Sequence, residues 1–513
     1  MDRGAGATVE GVTLERTILA CDVGTSSLKV ALYTQAGRLI ASSTRRYGFQ
    51  SDRPGWAEGD PKEWWLALGG ALADLAEQGH PLQQIEAMSF TGQMHSLVLL
   101  DSDGEVISPT ILWLDRRAAR ETEDLRQWLS LPPYQLNSSF TLPKLLWLYR
   151  HRPDALARTR TILWPKDYLR FKLTGEACTD LTEPGGAVLL DWERKAYATE
   201  RLALVGLDAE VLPPIRPASG SGGTIRPEVA RSLGLSQDLK VVVGMGDVAA
   251  LYAAAPPKLG RVICSMGSSS MIFAPLAEGQ EVKDSAHRIH VYPFGPYPMV
   301  GGVSSTTGSS LLWAYENVCR GKDVGQSYSE ALAQALEVAP GAEGLCFLPF
   351  LAGERNPFWS DTIRGGFYGL QLTHDHRHLL RAVMEGVAYS LRYLLDICEE
   401  AGVVIEEIAL TGGGATTIGM PQMLADVSGL DVLIYAEKET VTRVLFALCQ
   451  VHMGRGGFEE KLQETFDEPN SVVRPCHHLA SVYTEGYERY QAFAGFASAQ
   501  ADLAVKKEIL TRR

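Results

Sequence analysis

Two short polar turns, one in each half of the chain, constrain the fold more than any other feature of the sequence. The first, DVGTSS, lies between two apolar runs in ILACDVGTSSLKVALYTQAG, and the second, MGSSS, lies within RVICSMGSSSMIFAP. An apolar run on each side of a turn predicts two strands joined as a hairpin. Because two hairpins of the same chemistry are unlikely to arise by accident, the chain is expected to contain a repeated unit.

The residues of the first turn suit an anion better than they suit a simple reversal of the chain. Gly24 allows backbone N–H groups to approach a ligand closely, and successive N–H groups in a turn form a concavity that holds anions. Thr25 and Ser26 add hydroxyl donors, and Lys29 adds positive charge. Asp22 would repel a phosphate without a cation between them, which suits a phosphate carried with Mg²⁺. From this turn alone, an ordinary polar hairpin is an equal alternative.

Predicted strands and helices alternate along the chain, which indicates an α/β fold. The unit KVVVGMGDVAALYAAA begins a second series of such elements, so we place a domain boundary near residue 250. The strand in IEEIALTGGGA runs into a third glycine-rich turn, which would allow close approach to a nucleotide. The remaining predictions are strands at 18–23, 28–33 and 38–44, helices at 61–77 and 377–400, a mostly helical stretch from about 115 to 210, and a loop at 213–223.

Length, charge and cysteine content exclude several classes of protein. A chain of 513 residues predicts two or more domains, and a net charge of −13 argues against nucleic-acid binding. No apolar run approaches the length of a membrane span, and MDRGAGATVEGVTLER lacks the apolar core of a signal peptide. The eight cysteines show no C-x-x-C spacing and predict buried free thiols. We therefore expect a cytoplasmic protein with no membrane partner, whose residues 1–16 form a flexible extension.

From about residue 17 to 490, the chain resembles the FGGY family of carbohydrate kinases. CDVGTSSLK and SMGSSS are similar to the family's two phosphate hairpins, and LTGGGA is similar to its adenosine-binding turn. FTLPKLLW and GGFYGLQLTHDHRHLLRAVMEG are similar to its signature regions. The resemblance implies two duplicated actin-like (ribonuclease H-like) domains, 17–250 and 251–513, with a nucleotide and sugar cleft between them. It also implies ATP and Mg²⁺ as partners beside a small sugar, and it leaves a homodimer open.

Several segments resemble the xylulokinase subgroup, which implies phosphorylation of D-xylulose to D-xylulose 5-phosphate. These segments are PGWAEGDPKEWW, TGQMH, LPKLLW, WPKDYLRFKLTGE and GERNPFW. Ser96, Val248 and Leu114 depart from the residues usual in that subgroup, and a serine at the first of these positions resembles gluconate kinases. The alternatives are therefore a gluconate kinase or another ketose or polyol kinase and, from a different class, a non-catalytic sugar sensor. An actin-like or Hsp70-like ATPase would lack QMH and WLDRR.

The helix after the adenosine-binding turn is a further departure from the family. The family has a helix rich in glycine and alanine there, whereas this chain reads ETVTRVLFALCQ. Arg443, Leu445 and Phe446 stand where small residues are usual, and larger side chains change packing. We therefore expect altered packing beside the adenine pocket.

Asp247 is the residue that the resemblance identifies as the general base. It follows a predicted strand, and a carboxylate there can take a proton from a sugar hydroxyl that attacks the γ-phosphate. The alternative is an aspartate that caps a helix. Met94 and His95, with Gln93 before them, match the pair that binds the sugar. Trp113 and Asp115 are secondary candidates for sugar binding, although Trp113 could be a core residue and Asp115 could pair with Arg116 or Arg117.

The remaining assignments concern the nucleotide and a metal ion. Asp22 is expected to meet Mg²⁺ through water. The histidines of THDHRH alternate at a predicted helix start and would not share one face, so His374, His376 and His378 are not favoured as a metal site. The residues expected to bind ATP or its phosphates are Asp22, Gly24, Thr25, Ser26, Lys29, Gly267, Ser268, Ser269, Gly412, Gly413, Gly414 and Ala415.

Overall fold

A computed structural model describes residues 16–511, except 132–135, 193, 254–257, 278, 293–297, 320–326, 361, 437–439 and 467. Of the expected flexible extension, residues 1–15 lie outside the described residues. The described strands, in chain order, are β1 (Thr17–Val23), β2 (Ser27–Thr34), β3 (Leu39–Arg46), β4 (Glu58–Gly59), β5 (Ile85–Gly92), β6 (Val98–Leu100), β7 (Thr110–Ile111), β8 (Thr161–Leu163), β9 (Leu190–Asp191), β10 (Ala196–Tyr197), β11 (Ser221–Thr224), β12 (Lys240–Val242), β13 (Gly260–Met266), β14 (Ser270–Pro275), β15 (His290–Tyr292), β16 (Met299–Ser304), β17 (Cys346–Leu348), β18 (Gly366–Tyr368), β19 (Ile405–Thr411), β20 (Asp431–Ile434) and β21 (Ser471–Val473).

Helices lie between these strands, as the alternating pattern of the sequence predicts. The described α-helices, in chain order, are α1 (Pro61–Glu77), α2 (Ala119–Leu129), α3 (Thr141–His151), α4 (Pro153–Arg158), α5 (Pro165–Thr174), α6 (Thr182–Gly186), α7 (Thr199–Ala203), α8 (Pro227–Leu233), α9 (Asp247–Tyr252), α10 (Gly308–Ala314), α11 (Tyr328–Ala335), α12 (His376–Glu400), α13 (Met420–Ser428), α14 (Thr440–His452), α15 (Phe458–Thr465) and α16 (Ala480–Thr511).

The two large sheets have the same topology, which establishes the duplication. The first sheet has the order β11-β12-β5-β1-β2-β3, and the second has the order β21-β20-β19-β13-β14-β16-β15. In each sheet, a hairpin (β1–β2 or β13–β14) is followed by a third antiparallel strand. On the other side of the hairpin's first strand, two parallel strands and one antiparallel strand complete the unit. The second sheet differs only by the additional edge strand β15.

Most sequence-predicted elements occur at their expected positions. The three first strands and the 377–400 helix shift by one or two residues, and α1 spans 61–77 as predicted. Asp60 caps α1 because its side chain accepts a hydrogen bond from the Lys62 N–H at 2.9 Å, and Pro61 occupies the first helical position. All eight cysteines are free, and all but the partly exposed Cys476 are buried, which confirms the prediction of free thiols.

The loop predicted at 213–223 is wrong at its end, because residues 221–224 form the edge strand β11. Serine and glycine in SGSGG predicted a loop by composition. The Arg170 side chain packs against the strand at Gly222. A Cβ at this position would lie 2.4 Å from the Arg170 Cδ, so glycine is needed there. Helices α2 to α7 occupy about half of the stretch of 115–210, and turns, loops and the short strands β8 to β10 separate them.

A shared core joins the two sheets through α9 and α14. Ile18 and Tyr33 of the first sheet belong to the same apolar cluster as Ile263 and Phe273 of the second sheet. Leu445 and Phe446 of α14 are buried in that cluster, and the rings of Phe446 and Tyr33 are 5.4 Å apart. Leu445 and Phe446 therefore pack in the core between the sheets, whereas Arg443 donates to the Thr465 carbonyl at 2.7 Å. Altered packing beside the adenine pocket stays a prediction. Among the described residues, no helix combines the length and apolar character needed to cross a bilayer.

Candidate active site

Two side chains from outside the first polar turn donate hydrogen bonds to the carbonyl of its glycine. The Gly24 N–H donates to the Ser27 carbonyl at 2.9 Å, which closes the turn between β1 and β2. The Gly24 carbonyl accepts from the Tyr47 hydroxyl at 2.6 Å and from Gln93 Nε2 at 3.1 Å. Asp22 and Lys29 are cross-strand partners at the base of the turn. The turn therefore has a fixed shape before any ligand binds.

The second polar turn is held by the start of α10 in a similar way. The Gly267 N–H donates to the Ser269 carbonyl at 2.9 Å, and the Gly267 carbonyl accepts from the Gly308 N–H at 3.0 Å. A Cβ at Gly308 would lie 2.3 Å from that carbonyl, so only glycine allows this approach. The Ser268 carbonyl accepts from the Thr307 N–H at 3.0 Å. The backbone carbonyls of this turn are thus engaged within the protein.

The glycine-rich turn after β19 packs directly beside the second polar turn. Gly412 has a φ of 75° and leads into Gly413, Gly414 and Ala415. A Cβ at Gly414 would lie 2.4 Å from the sulfur of Met266, the last residue of β13. Two of the three turns expected to bind ATP are therefore neighbours at one edge of the second sheet.

Asp247 lies where the first polar turn meets the loop that follows β5. It is the first residue of α9, whose N-cap is Gly246, so the alternative of an N-cap aspartate is wrong. The carboxylate accepts from the Val248 N–H at 2.7 Å and also from the Met94 N–H. A Cβ at Gly246 would lie 2.6 Å from the Met94 sulfur, so glycine lets this loop contact the helix start.

The pKa of Asp247 is raised from 3.8 to about 7, mainly by burial and secondly by the negative charge of Asp22. Backbone hydrogen bonds from Val248, Met94 and Asp247 itself oppose this shift because they stabilise the charged form. A carboxyl group with a pKa near neutrality can exchange a proton at physiological pH. Asp22, beside the first polar turn, is thus close enough to influence a second carboxylate whose pKa suits proton transfer.

His95 is held in a strained backbone conformation with a neutral ring. Its φ is 67°, a region that non-glycine residues seldom adopt. Its carbonyl accepts from Lys144 Nζ at 3.0 Å, and its ring lies 4.7 Å from that of Phe140. Desolvation, followed by the charge of Lys144, lowers the His95 pKa to about 3. Its Nδ1 has no hydrogen-bond partner among the described residues, which is typical of a group that meets a ligand.

The two secondary candidates of WLDRR have different surroundings. Trp113 is 37% exposed, and its indole Nε1–H donates to Thr25 Oγ1 at 2.8 Å, so it is not a core residue. Asp115 is buried and accepts from the Ala57 N–H at 2.6 Å and from the Arg117 guanidinium at 2.8 Å. Pairing with Arg117 is thus the alternative observed for Asp115, and its contact with a sugar stays a prediction.

Two domain models of the FGGY family of carbohydrate kinases match the chain. The N-terminal domain model covers residues 17–252, and the C-terminal domain model covers residues 262–443. The chain belongs to the FGGY family of carbohydrate kinases. Transfer of a phosphoryl group from ATP to a sugar is therefore its reaction class, and this class implies a divalent metal ion as well as ATP.

Individual members of the FGGY family extend this likeness over most of the chain. A xylulose kinase of Lactococcus lactis is 34% identical over 429 residues, which cover 81% of this chain and 84% of that protein. A gluconokinase of Bacillus licheniformis is 26% identical over 432 residues, covering 81% of this chain and 84% of that protein. A solved structure described as a xyloylose kinase from Brucella ovis matches with a TM-score of 0.85 and 29% identity, covering 94% of this chain and all of that one.

A buried polar cluster that supports the FGGY site was not predicted from the sequence. The Thr182 hydroxyl accepts from the Gly246 N–H at 2.8 Å and so fixes the residue before Asp247. Beside it, the Lys166 ammonium pairs with Asp167 at 2.7 Å, and all three groups are buried. Burial raises the pKa of Glu183, the next residue of α6, and nearby negative charges including Asp247 add to this effect. WPKDYLRF and TDLTE carry these residues, but only the first was singled out, as a likeness to the xylulokinase subgroup.

Two sequence segments were considered for a metal ion, the first polar turn and THDHRH. Asp22 is a partly exposed carboxylate at the end of β1, beside a turn rich in N–H and hydroxyl donors. In the described part of the chain, no group of three or more histidine, cysteine or acidic side chains is suited to a metal, and this includes the histidines of THDHRH. His378 instead pairs with Asp375 at 2.7 Å.

Proposed function

We propose that the chain phosphorylates D-xylulose at its 5-hydroxyl with ATP and that Asp247 is the general base. The observation that supports this most strongly is the position of Asp247. Its carboxylate accepts a hydrogen bond from Met94 of the proposed sugar loop and is influenced by the charge of Asp22 beside the first phosphate turn. A base in phosphoryl transfer must lie within hydrogen-bond reach of the attacking sugar hydroxyl and orient it toward the phosphate, and Asp247 adjoins both elements proposed to bind these groups.

The proposed proton transfer uses the raised pKa of Asp247. In the ionised form, its carboxylate accepts the proton of the sugar hydroxyl as the hydroxyl oxygen attacks the γ-phosphorus of ATP. The bond between the γ-phosphorus and the bridging oxygen breaks, and ADP leaves. Because the pKa is near neutrality, Asp247 is ionised in a large fraction of molecules and still binds the proton when the reaction releases it.

The proposed sugar contacts come from the loop after β5 and from WLDRR. His95 is neutral at physiological pH because its pKa is about 3. Its Nδ1 can therefore form a hydrogen bond with a sugar hydroxyl without bringing a positive charge into the site. Gln93 and Met94 flank this ring, and Trp113 offers a partly exposed indole face. Asp115 shapes the same loop through its pairing with Arg117.

The proposed nucleotide contacts come from all three glycine-containing turns. The first turn, with Thr25, Ser26 and Lys29, and the second, with Ser268 and Ser269, would bind phosphate oxygens, and the third would bind adenosine. Asp22 would hold Mg²⁺ through water, since Mg²⁺ prefers carboxylate and water ligands. The ion would supply positive charge against the phosphate oxygens. A cytoplasmic location, a homodimer and the division into domains near residue 250 stay predictions.

Ser96 no longer supports gluconate as the substrate. A serine at this position resembles gluconate kinases, and this likeness made gluconate an alternative substrate. Its side chain is 0% exposed, and its hydroxyl bonds to Gln93 and to the backbone of Trp113. The proposal of D-xylulose rather than gluconate therefore rests on the relatives named xylulose kinase.

A substrate panel tests this choice directly. We expect D-xylulose to give the highest kcat/KM among D-xylulose, D-ribulose, L-xylulose, L-ribulose, gluconate and glycerol, measured by ADP release under one condition. A preference for gluconate of about tenfold, equivalent to about 1.4 kcal/mol in transition-state binding, would reject D-xylulose. Binding of sugar without turnover of any member would favour the non-catalytic sensor.

A further inference from the structure

A closed ring of hydrogen bonds joins the loop after β5 to the first polar turn. The ring starts at the Gly24 carbonyl, which accepts from Gln93 Nε2 at 3.1 Å. Gln93 Oε1 in turn accepts from the Ser96 hydroxyl at 2.9 Å. The Trp113 backbone N–H donates to Ser96 Oγ at 3.0 Å, and its indole N–H donates to Thr25 Oγ1 at 2.8 Å. The ring thus begins and ends on adjacent residues of the turn.

Ser96 is the residue on which this ring depends. A hydroxyl has one proton to donate and lone pairs to accept, and Ser96 uses its proton for Gln93 and a lone pair for Trp113. The side chain is completely buried. Alanine there would leave an amide oxygen and a backbone N–H without these partners in buried surroundings, which is unfavourable.

Two members of the ring, Thr25 and Trp113, face different proposed ligands. Because Thr25 Oγ1 accepts from the indole, its own proton remains to be donated, and a phosphate oxygen is a suitable acceptor. Trp113 is partly exposed, so one face of its indole can contact a sugar while its N–H stays bonded to Thr25. A restraint on the indole is therefore passed to the turn through a direct hydrogen bond and through Ser96.

We propose that Ser96 is a positioning residue that couples sugar binding to ATP binding. The inference rests on the proposed function, in which Trp113 contacts the sugar and the first turn contacts phosphate. A sugar that restrains Trp113 also restrains Thr25 and Gly24, so the nucleotide has less motion to remove when it binds. The same coupling acts in the other direction, because linkage between two binding sites is reciprocal.

The test is the affinity for D-xylulose with and without a nonhydrolysable ATP analogue, measured by titration calorimetry. In the wild-type protein, the analogue is expected to tighten sugar binding. In Ser96→Ala and in Trp113→Phe, the ratio of the two dissociation constants is expected to fall at least about fivefold, the lower end of typical coupling between sites. A wild-type ratio of one, or an unchanged ratio in both variants, would overturn the proposal.

Ser89→Ala is the matched control for the loss of a buried hydroxyl. Ser89 lies in β5, is completely buried, and has no hydrogen-bond partner among the described residues. Its replacement is expected to leave the ratio of dissociation constants unchanged. A fall equal to that of Ser96→Ala would attribute the effect to general loosening and would overturn the proposal.

A second pair of variants keeps the test informative if Ser96→Ala does not fold. Trp113→Phe retains an aromatic ring but removes the indole N–H, at a partly exposed position. Adding Thr25→Val to Trp113→Phe weakens binding of the analogue itself through the lost phosphate contact, but at saturating analogue it should lower the coupling ratio no further, because the indole hydrogen bond is already absent. An additional fall would overturn the ring as the route. An active enzyme with unchanged ratios would reject this inference alone, whereas absence of phosphorylation of every sugar would reject the proposed function.

Discussion

At the residue scale, Asp247 carries the clearest prediction. Asp247→Asn retains the shape of the side chain but cannot take the proton, so we expect kcat to fall by about 10²–10⁴-fold. The affinity for sugar, measured by calorimetry, should change little. Asp238→Asn, at an exposed position in the turn before β12, is the matched control and should keep wild-type activity. Rates near wild type in Asp247→Asn would remove this residue as the base.

The raised pKa of Asp247 also predicts the pH dependence of the reaction. The base must be ionised, so kcat/KM should fall as the pH drops through about 7. The charge of Asp22 contributes to the shift, so Asp22→Asn should lower the pKa of Asp247 and move this midpoint to lower pH. The residual activity of Asp22→Asn, measured from pH 5 to 9, checks the direction. A midpoint that stays in place or moves to higher pH would contradict this electrostatic account.

Individual site residues differ in how far the sequence could predict their surroundings. Gly24 and Asp22 were singled out because turns and strand ends have strong local signatures, whereas Asp247 was identified only through the family resemblance. Ser96 was recognised as unusual, but its burial was not predicted, since its partners Gln93 and Trp113 are brought together by the fold. Glu183 was missed because an isolated glutamate in a sequence does not reveal that it is buried beside other acids.

At the element scale, β11 and α14 show where local pattern fails. The composition of SGSGG is typical of a loop, and only the pairing of β11 with β12 and the passage of Arg170 beneath Gly222 make it a strand. The sequence of α14 departs from the family pattern at Arg443, Leu445 and Phe446. Its contact with the first sheet depends on residues more than 400 positions away, such as Tyr33, which periodicity cannot show.

The packing of α14 predicts a large loss of stability in Phe446→Ala. The ring is 5% exposed and fills the space beneath Gly37, where a Cβ would lie 3.2 Å from it. Removing a buried phenylalanine typically costs about 3–5 kcal/mol, so the midpoint of urea denaturation should fall clearly. Phe496→Ala, at a position of α16 that is 55% exposed, is the matched control and should have little effect. Equal midpoints for the two variants would show that α14 does not stabilise the junction.

At the scale of the whole molecule, the repeated polar turns were sufficient to predict a duplication. The common strand order of the two sheets confirms it. That order could not be predicted, because β5 and β12 pair across more than a hundred residues of intervening chain. Contacts between the halves were also beyond sequence reasoning, including the 2.9 Å ion pair of Arg455 with Glu86 and the 2.7 Å bond from Gln450 to the Gln35 carbonyl.

This arrangement predicts that the two halves close around the ligands. One phosphate turn belongs to each sheet, so a single ATP must be contacted from both sides, while α9 and α14 remain packed between the sheets as a pivot. Closure would exclude water from the transferred phosphoryl group and limit hydrolysis of ATP.

Small-angle scattering should therefore show a smaller radius of gyration with D-xylulose and a nonhydrolysable ATP analogue together than with neither. Sugar alone and nucleotide alone are the control arms. Each should produce a smaller change, since neither ligand alone makes all the proposed contacts with both halves. A radius of gyration that is unchanged with both ligands at saturation would mean that the site is assembled without movement of the halves.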